Sequence, residues 1–589
     1  MPVIPPSCRS VRRILWGAIA AASLLLPQTA RAVEPAVLEA QAARIQVVKE
    51  ICPSVVAIFS PGAKGGGSGV LATRDGFAIT NFHVVEGLGP FMKCGLNDGK
   101  VYDAVLVSID PTGDVALIQL LGRDDFPAAK IGNSDEVQPG DWVWVAGNPF
   151  LLATDFQPTV TYGVVSGTHR YQYPAGANIL EYTDCIQVDA SINPGNSGGP
   201  LFNSKGELIG INGRGSFEKR GRVNVGVGYA ISINQVMYFF DHLKSGRMVD
   251  HATLGATVQT DADGNVIISS ILEQSEAFRR GLRSGDELVS FGGRPIRSVN
   301  QFKNILGIYP KGWKLPLSYA RDGQKTDIVV RLRALHRSAE LSPEAEEEPQ
   351  PKPIPIPIPL PKKPGDKPGK KPPGPHDEEK GEIPEKYKHL YEEKAGFANF
   401  YFNRIARDRL MGAFKPWGTF GPATAVWTFT GKRDGKDDFQ FKLTEAAVGI
   451  KIGKDAVVLP LEGEPNAEPA GSGGLLLAMA HLRQLLIDPA EFTEFYYLGS
   501  EPLDGVGDKV DVVVTTRGST MTRWYFARPE PRLVGWDTSI EEDADECEIR
   551  IREMGQIAGR EFPTKFSVRS GGKPYADLQI DAGDWGAAK

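Results

Sequence analysis

Hydrophobic and polar residues alternate along this chain in several distinct rhythms. Between Leu38 and Glu50, Leu, Ala, Ile and Val recur at helical spacing, with β-branched residues only late, which predicts a helix. From Val55 to Ile233 the rhythm shortens to β-rich runs separated by glycine turns: VVAIFS, GVLAT, GFAIT, DWVWVAG, GELIGING and VGVGYAIS. Many short strands with frequent turn signals predict a β-barrel or sandwich, and a helix over Gln235 to Lys244 closes it. From about His251 to Leu335 the order is a strand (VIISSIL), a short helix (SEAFRR), GLRSGDELVSFGG, a second helix (VNQFKNIL) and two final strands. Beyond Tyr387, AVWTFTG, DDFQFKLT, VDVVVTTRG and TRWYFARP read as strands, and Leu475 to Leu486 as a helix.

Two stretches follow none of these patterns. Residues 340 to 386 include PQPKPIPIPIPLPKKPGDKPGKKPPGP between acidic runs. Proline this dense cannot pack a core and favours extended polyproline II, so the segment reads as a semi-rigid spacer. At the other end, Arg9, Arg12 and Arg13 precede an apolar run from Ile14 to Leu26 and then Ala30-Arg31-Ala32. This is the order of a cleavable export signal, with the cut expected after Ala32. The apolar run is shorter than the roughly twenty residues of a spanning helix. Arg12-Arg13 leaves Sec and twin-arginine export both open. The expected divisions are a signal peptide (1–32), a first β-rich domain (33–250), a smaller α+β domain (251–336), the proline-rich charged linker (337–386) and a β-rich C-terminal domain (387–583).

Composition narrows the partners. A net charge of −6 over 589 residues, with no sustained basic stripe, gives nucleic-acid binding no electrostatic support. No other stretch is apolar enough to span a bilayer, so a periplasmic or otherwise exported protein with no integral membrane span is expected. Four cysteines remain after the signal, Cys52, Cys94, Cys185 and Cys547. They allow three complete pairings, between which sequence does not choose. Their scattered spacing argues against zinc.

The chemistry centres on INPGNSGGPL, where Ser197 stands among glycines whose amides can face a developing oxyanion. A serine hydroxyl needs a base to take its proton. Within the first β-rich domain the histidines are His83, His169 and His242. His83, in AITNFHVVEG, follows an apolar strand directly; His169 reads as a surface residue, and His242 lies on the closing helix. A buried carboxylate must then orient the imidazole. Asp114, in DPTGDVALIQL, precedes a continuous apolar strand, whereas Asp110 belongs to an Asp-Pro turn.

TNFHVV, GDVALIQL and INPGNSGGPL, followed by GVGYAISIN, together resemble the HtrA/DegP family of trypsin-like serine proteases over about residues 38 to 335. The resemblance implies an all-β double barrel with His83, Asp114 and Ser197 as catalytic residues. It also implies an oxyanion hole from the backbone amides of Gly195 and Ser197, with Asn196 between them. No metal or organic cofactor is implied. GLRSGDELVSFGGRPI resembles the core segment of a bacterial PDZ domain. Its carboxylate-binding loop would be Thr253-Leu254-Gly255-Ala256, a site for peptide C-termini. In such proteases the residue six before the nucleophile floors the primary pocket. Here it is Ser191, and with Ile211 it suggests preference for small aliphatic side chains over Lys or Arg. The implied activity is an exported serine endopeptidase acting on unfolded or damaged proteins, and the resemblance leaves a homo-trimer among the assemblies to expect. The alternative is a peptide-binding chaperone or scaffold with incidental proteolysis.

In the C-terminal domain, TRWYFARPEPRLVGWD and GREFPTKFSVRSGGKPYADLQI resemble LolA-like carrier folds, which makes a lipid or lipoprotein carrier a third reading. The spacer suggests that this domain folds independently. Its aromatic runs FANFYF, EFYYLG and RWYF either line a groove or fill a core, and the acidic run SIEEDADECEIRI reads as a solvated edge or loop. The whole is thus expected to be multidomain: a trypsin-like double β-barrel, an α+β PDZ domain, a proline-rich linker and an antiparallel β-rich C-terminal domain.

Overall fold

The computed structural model describes residues 33–60, 66–148, 155–172, 179–217, 224–337, 340–341, 384–541 and 543–586, and the expected export signal and most of the expected linker lie outside them. Two compact units divide between Glu50 and Ile51. In the first, helix α1 (Pro35–Ile51) starts on a proline and places Lys49 in its last turn, both favourable positions.

The second unit begins with a closed antiparallel barrel of β1 (Val55–Phe59), β2 (Gly66–Leu71), β3 (Phe77–Thr80), β4 (Phe91–Gly95), β5 (Val101–Asp110) and β6 (Val115–Leu120), in the order β1-β2-β3-β6-β5-β4. Val56, Ile58, Leu71, Ala78 and Ile118 fill it. Short helix α2 (Phe82–Val85) leaves the end of β3. A second sheet contains β7 (Lys130–Ile131), β8 (Trp142–Gly147), β9 (Thr159–Gln172), β10 (Tyr182–Val188), β11 (Pro200–Asn203), β12 (Glu207–Phe217) and β13 (Asn224–Ser232). It runs β11-β8-β9-β10-β13-β12-β7, and β11 also pairs with β12, so six of these strands close on themselves. Here is the expected double barrel. Helix α3 (Ile233–Lys244) caps it by burying Val236, Phe239, Phe240 and Leu243.

The next region folds as β14 (Ala252–Thr253), β15 (Ala256–Thr260), β16 (Val266–Ile271), α4 (Glu276–Arg279), β17 (Glu287–Phe291), β18 (Arg294–Pro295), α5 (Val299–Gly307), β19 (Lys314–Arg321), β20 (Gln324–Arg331) and β21 (Arg333–Ala334). The main sheet runs β15-β16-β17-β19-β20, leaving β15 and β20 as its edges. Ser275 and Ser298 cap α4 and α5 by accepting from the amides of Phe278 and Gln301.

The C-terminal region holds α6 (Phe400–Met411), α7 (Leu475–Ile487) and eleven strands: β22 (Trp427–Arg433), β23 (Asp437–Leu443), β24 (Ala447–Ile452), β25 (Asp455–Pro460), β26 (Glu494–Pro502), β27 (Lys509–Arg517), β28 (Thr520–Phe526), β29 (Leu533–Ser539), β30 (Cys547–Ile557), β31 (Arg560–Ser570) and β32 (Lys573–Asp584). They form one antiparallel sheet, β25-β24-β23-β22-β32-β31-β30-β29-β28-β27-β26. Helix α7 is apolar nearly all round and buried from Leu475 to Leu485, as a helix enclosed by its sheet must be. In the same core Phe429 and Phe562 stack, and Trp427 and Trp585 meet edge-on beside them. Of the aromatic runs, Trp524, Tyr525 and Phe526 are buried in the sheet, and Phe402 meets Phe77 of the first barrel. These rings fill the protein's own cores.

The structure corrects two expectations. The C-terminal region is not an independent body across a spacer, and the acidic run is solvated only at its start, where Glu541 and Asp543 are exposed, whereas Glu546 and Glu548 are engaged in buried ion pairs. Asn403 Nδ2 donates to the Ser245 and Tyr497 carbonyls, and Asn399 Nδ2 to that of Leu106. Trp313 Nε1 and His242 Nε2 both lie within hydrogen-bond distance of the Ser500 carbonyl. Lys314 and Arg331, on the β19–β20 edge, are buried against Glu501, Asp537, Glu546 and Glu548, while Arg279 and Arg280 meet Asp545. Arg550 completes the cluster by donating to Asp537 at 2.6 Å. The paired acids of this run looked unpartnered in sequence because their cations lie more than two hundred residues away.

Candidate active site

The first barrel carries His83 and Asp114, and the second carries the loop of Ser197. His83 enters on α2, whose start is fixed when Phe82 N and Asn81 Nδ2 both donate to the Asp114 carbonyl. Asp114 ends the tight turn between β5 and β6 with φ of +54°, a left-handed conformation that aspartate tolerates better than most residues. Its carboxylate faces inward, 2% exposed, while the His83 side chain is 46% exposed. His83 Nδ1 lies 2.8 Å from Asp114 Oδ2 and 3.0 Å from Oδ1, and the His83 amide donates to Oδ1 at 3.1 Å. An acceptor beside Nδ1 fixes the proton there and leaves Nε2 as the basic atom. Burial lowers the His83 pKa, but the hydrogen bond and charge of Asp114, with the charge of Glu86, more than offset this, and the net shift is upward.

Asp110 faces elsewhere. Its Oδ1 accepts the Gly113 amide at 2.9 Å, and its Oδ2 lies 2.9 Å from His251 Nε2, whose Nδ1 is 2.7 Å from the Gly307 carbonyl. Asp110 thus anchors the start of the third region instead of meeting His83.

Ser197 sits in the glycine loop before β11, with its Oγ donating to the Gly213 carbonyl at 3.4 Å. The loop is tied to the first barrel through Ser68 on β2. Ser68 N donates to the Ser197 carbonyl, Ser68 Oγ donates to that of Gly195 at 2.6 Å, and the Asn148 amide donates to Ser68 Oγ. Gly198 has φ of +80°, and a Cβ there would lie 2.2 Å from the Ser68 carbonyl, so only glycine fits. The Asn196 amide is taken by the Asn193 carbonyl, and its buried side-chain amide has no hydrogen-bond partner among the described residues. Ser68 and Tyr182, which donates to Asp114 Oδ2 at 2.5 Å, both escaped sequence reasoning. GGGSGV carried a weak signal for Ser68, and nothing local marked Tyr182.

Ser191 is exposed, its carbonyl accepting from Thr161 Oγ1 at 3.1 Å, whereas Ile211 is fully buried opposite Pro200. The nearby Asp189 carboxylate is held by the Val164 amide at 2.7 Å. In the loop Thr253 to Ala256, Leu254 is buried, and Gly255, with φ of +72°, donates to Thr253 Oγ1. The loop opens onto edge strand β15. His169, read as a surface residue, is half exposed but pairs with Asp184 at 2.6 Å. The four cysteines are free thiols. No helix among the described residues is long and apolar enough to cross a membrane.

Residues 67–211 match the trypsin-like peptidase domain family, and residues 246–320 the PDZ domain family. Over 279 residues the chain is 38% identical to a probable periplasmic serine endoprotease DegP-like of Marinomonas sp., covering 46% of this chain and 57% of the relative. Against the periplasmic serine endoprotease DegP of Escherichia coli it is 37% identical, covering 45% and 56%. The chain therefore spans little more than half the length of these curated relatives. A solved structure titled HtrA-type protease AlgW with tripeptide aligns at 28% identity over 50% of this chain and 97% of that one, with a TM-score of 0.40. The fold and sequence define a trypsin-like peptidase domain joined to a PDZ domain. The curated relatives that match over this stretch are named as DegP and DegP-like periplasmic serine endoproteases.

Proposed function

We propose that the chain is an exported serine endopeptidase that cleaves unfolded or damaged proteins through an acyl-enzyme. The observation that carries this reading is the His83–Asp114 pair, which holds Nδ1 and leaves Nε2 as the basic atom, on a barrel to which Ser68 ties the Ser197 loop. The Ser197 hydroxyl turns from the Gly213 carbonyl to His83 Nε2, gives up its proton and attacks the scissile carbonyl. Asp114 holds the tautomer and stabilises the imidazolium, which then protonates the leaving amine. The Gly195 and Ser197 amides face the tetrahedral oxyanion; the Asn196 amide, already bonded within the loop, contributes shape. Small aliphatic residues precede the cut, in a pocket that includes Ser191.

The PDZ domain takes peptide C-termini, which add as a strand to β15 with their carboxylate at Thr253 to Ala256. Export to the periplasm with loss of residues 1–32, and assembly as a homo-trimer, belong to the same reading. The test is degradation of a chemically unfolded protein by the full mature chain, with and without a serine-directed fluorophosphonate. Cleavage abolished by the reagent supports the proposal. Binding of unfolded protein without new termini would instead favour the chaperone or scaffold.

A further inference from the structure

Asp114 has a donor besides His83. Tyr182, first residue of β10 and 4% exposed, donates from Oη to Asp114 Oδ2 at 2.5 Å. Its ring lies against Gly213, where a Cβ would come within 2.7 Å of ring Cε1 and 2.9 Å of Oη. The Gly213 carbonyl is the group that accepts from Ser197 Oγ. One phenol thus spans the gap between the acid and the backbone beside the nucleophile. On this basis we propose that Tyr182 is a positioning residue that fixes the Asp114 carboxylate for catalysis, an inference that rests on Asp114 being the triad acid.

The geometry gives the hydroxyl a specific task. With the His83 amide on Oδ1 and Tyr182 on Oδ2, the carboxylate plane cannot rotate, so the imidazole bonded to it has one orientation. A neutral donor also spreads the carboxylate charge, weakening its pull on the imidazolium proton without removing it. The other charged groups nearby are accounted for. Glu86 acts on His83 from the residue that follows α2, Glu181 accepts from Tyr171, and Asp184 is paired with His169 and Arg294. Position is enforced from outside as well. The Glu181 amide donates to the Thr112 carbonyl in the Asp114 turn, and the Asp184 amide donates to Asn304 Oδ1 of α5. The start of β10 is therefore pinned on both sides of Tyr182.

Tyr182→Phe in the full mature chain keeps the packed ring and deletes only Oη. The expected result is a fall in kcat of roughly tenfold, the equivalent of about 1.4 kcal/mol for one charge-assisted hydrogen bond, with KM within about twofold of the parent. The acid limb of the kcat/KM profile should move to higher pH, because an undivided Asp114 charge holds the His83 proton more tightly. In an Asp114→Asn background the same substitution should cost nothing further, since Tyr182 acts through that carboxylate. Unchanged kcat and acid limb would overturn the proposal. So would a loss of activity that tracks a lowered melting temperature while the acid limb stays fixed. If Asp114→Asn itself left activity intact, the failure would lie with the triad assignment.

Discussion

The most consequential departure from a modular protein is the burial of Lys314 and Arg331 beneath the C-terminal sheet, and a double-mutant cycle on Lys314 and Glu548 tests it. The ammonium lies 2.8 Å from Glu548 Oε1 and 3.2 Å from Asp537 Oδ2, and both Lys314 and Glu548 are 7% exposed. Burial lowers the Lys314 pKa, but the surrounding carboxylates, Asp537 foremost, raise it further, so the lysine stays charged. Lys314→Met leaves those carboxylates with one cation fewer, and breaking a buried pair in this way costs about 3–5 kcal/mol. Glu548→Gln should cost somewhat less, because Glu546 and Asp537 still neutralise the lysine. Their coupling should be about 2 kcal/mol, against less than about 0.5 kcal/mol for the exposed Lys432–Asp438 pair used as a control. Unfolding of the full chain in urea, followed by tryptophan fluorescence, reads each corner of the cycle. Coupling near zero would mean that the two residues do not share a buried interface, and the docked arrangement would be refuted.

Other outcomes follow from the site and the buried histidines. Asp114→Asn should cut kcat by about 10⁴ through the wrong imidazole tautomer, whereas Asp110→Asn should mainly lower stability; the reverse pattern in rate and melting assays would reassign the acid. Cuts in an unfolded protein, mapped by mass spectrometry, should follow Val, Ala or Ile more often than Lys or Arg, because Ser191 offers no carboxylate and Asp189 is already engaged. His242 and His481 are both pushed down to about 3 by burial and are neutral in the fold. Their stabilising effect is complete above the ordinary imidazole pKa and is lost as pH falls below it, by about 2 kcal/mol each at pH 5. Because the raised pKa values of His83, His169 and His251 add stability as pH falls, the test is a comparison: the change in melting temperature from pH 7.5 to pH 5 should be less destabilising in His242→Gln than in the parent, and an identical change in both would contradict the neutral assignment.

Much of the architecture was legible because it rests on local signals. Short β-runs between glycines, such as VVAIFS and GVLAT, became barrel strands buried on both faces, with Val56, Ile58 and Leu71 turned into the barrel core. Helices at α3 and α7 began and ended within about two residues of the expected limits, their apolar spacing matching what packs over them. The pairing of His83 with Asp114, and not with Asp110, followed from which aspartate directly precedes an apolar strand. What stayed hidden depends on distant partners. Tyr182 lies 68 residues from Asp114, and nothing in EYTDC distinguishes its phenol from a core ring. Glu546 and Glu548 of SIEEDADECEIRI resembled part of a hydrated loop because Lys314 and Arg331 belong to another domain. A proline-rich spacer, likewise, limits what the linker can pack against and says nothing about the surfaces at its two ends.

The most direct test is cleavage of an unfolded protein by the mature chain and by Ser197→Ala, purified alike and matched for melting temperature. Deleting a serine nucleophile costs on the order of 10⁶ in kcat, so the variant should give no new termini under conditions where the parent degrades the substrate completely. Cleavage by Ser197→Ala at a rate near that of the parent would contradict the assignment of Ser197 as the nucleophile.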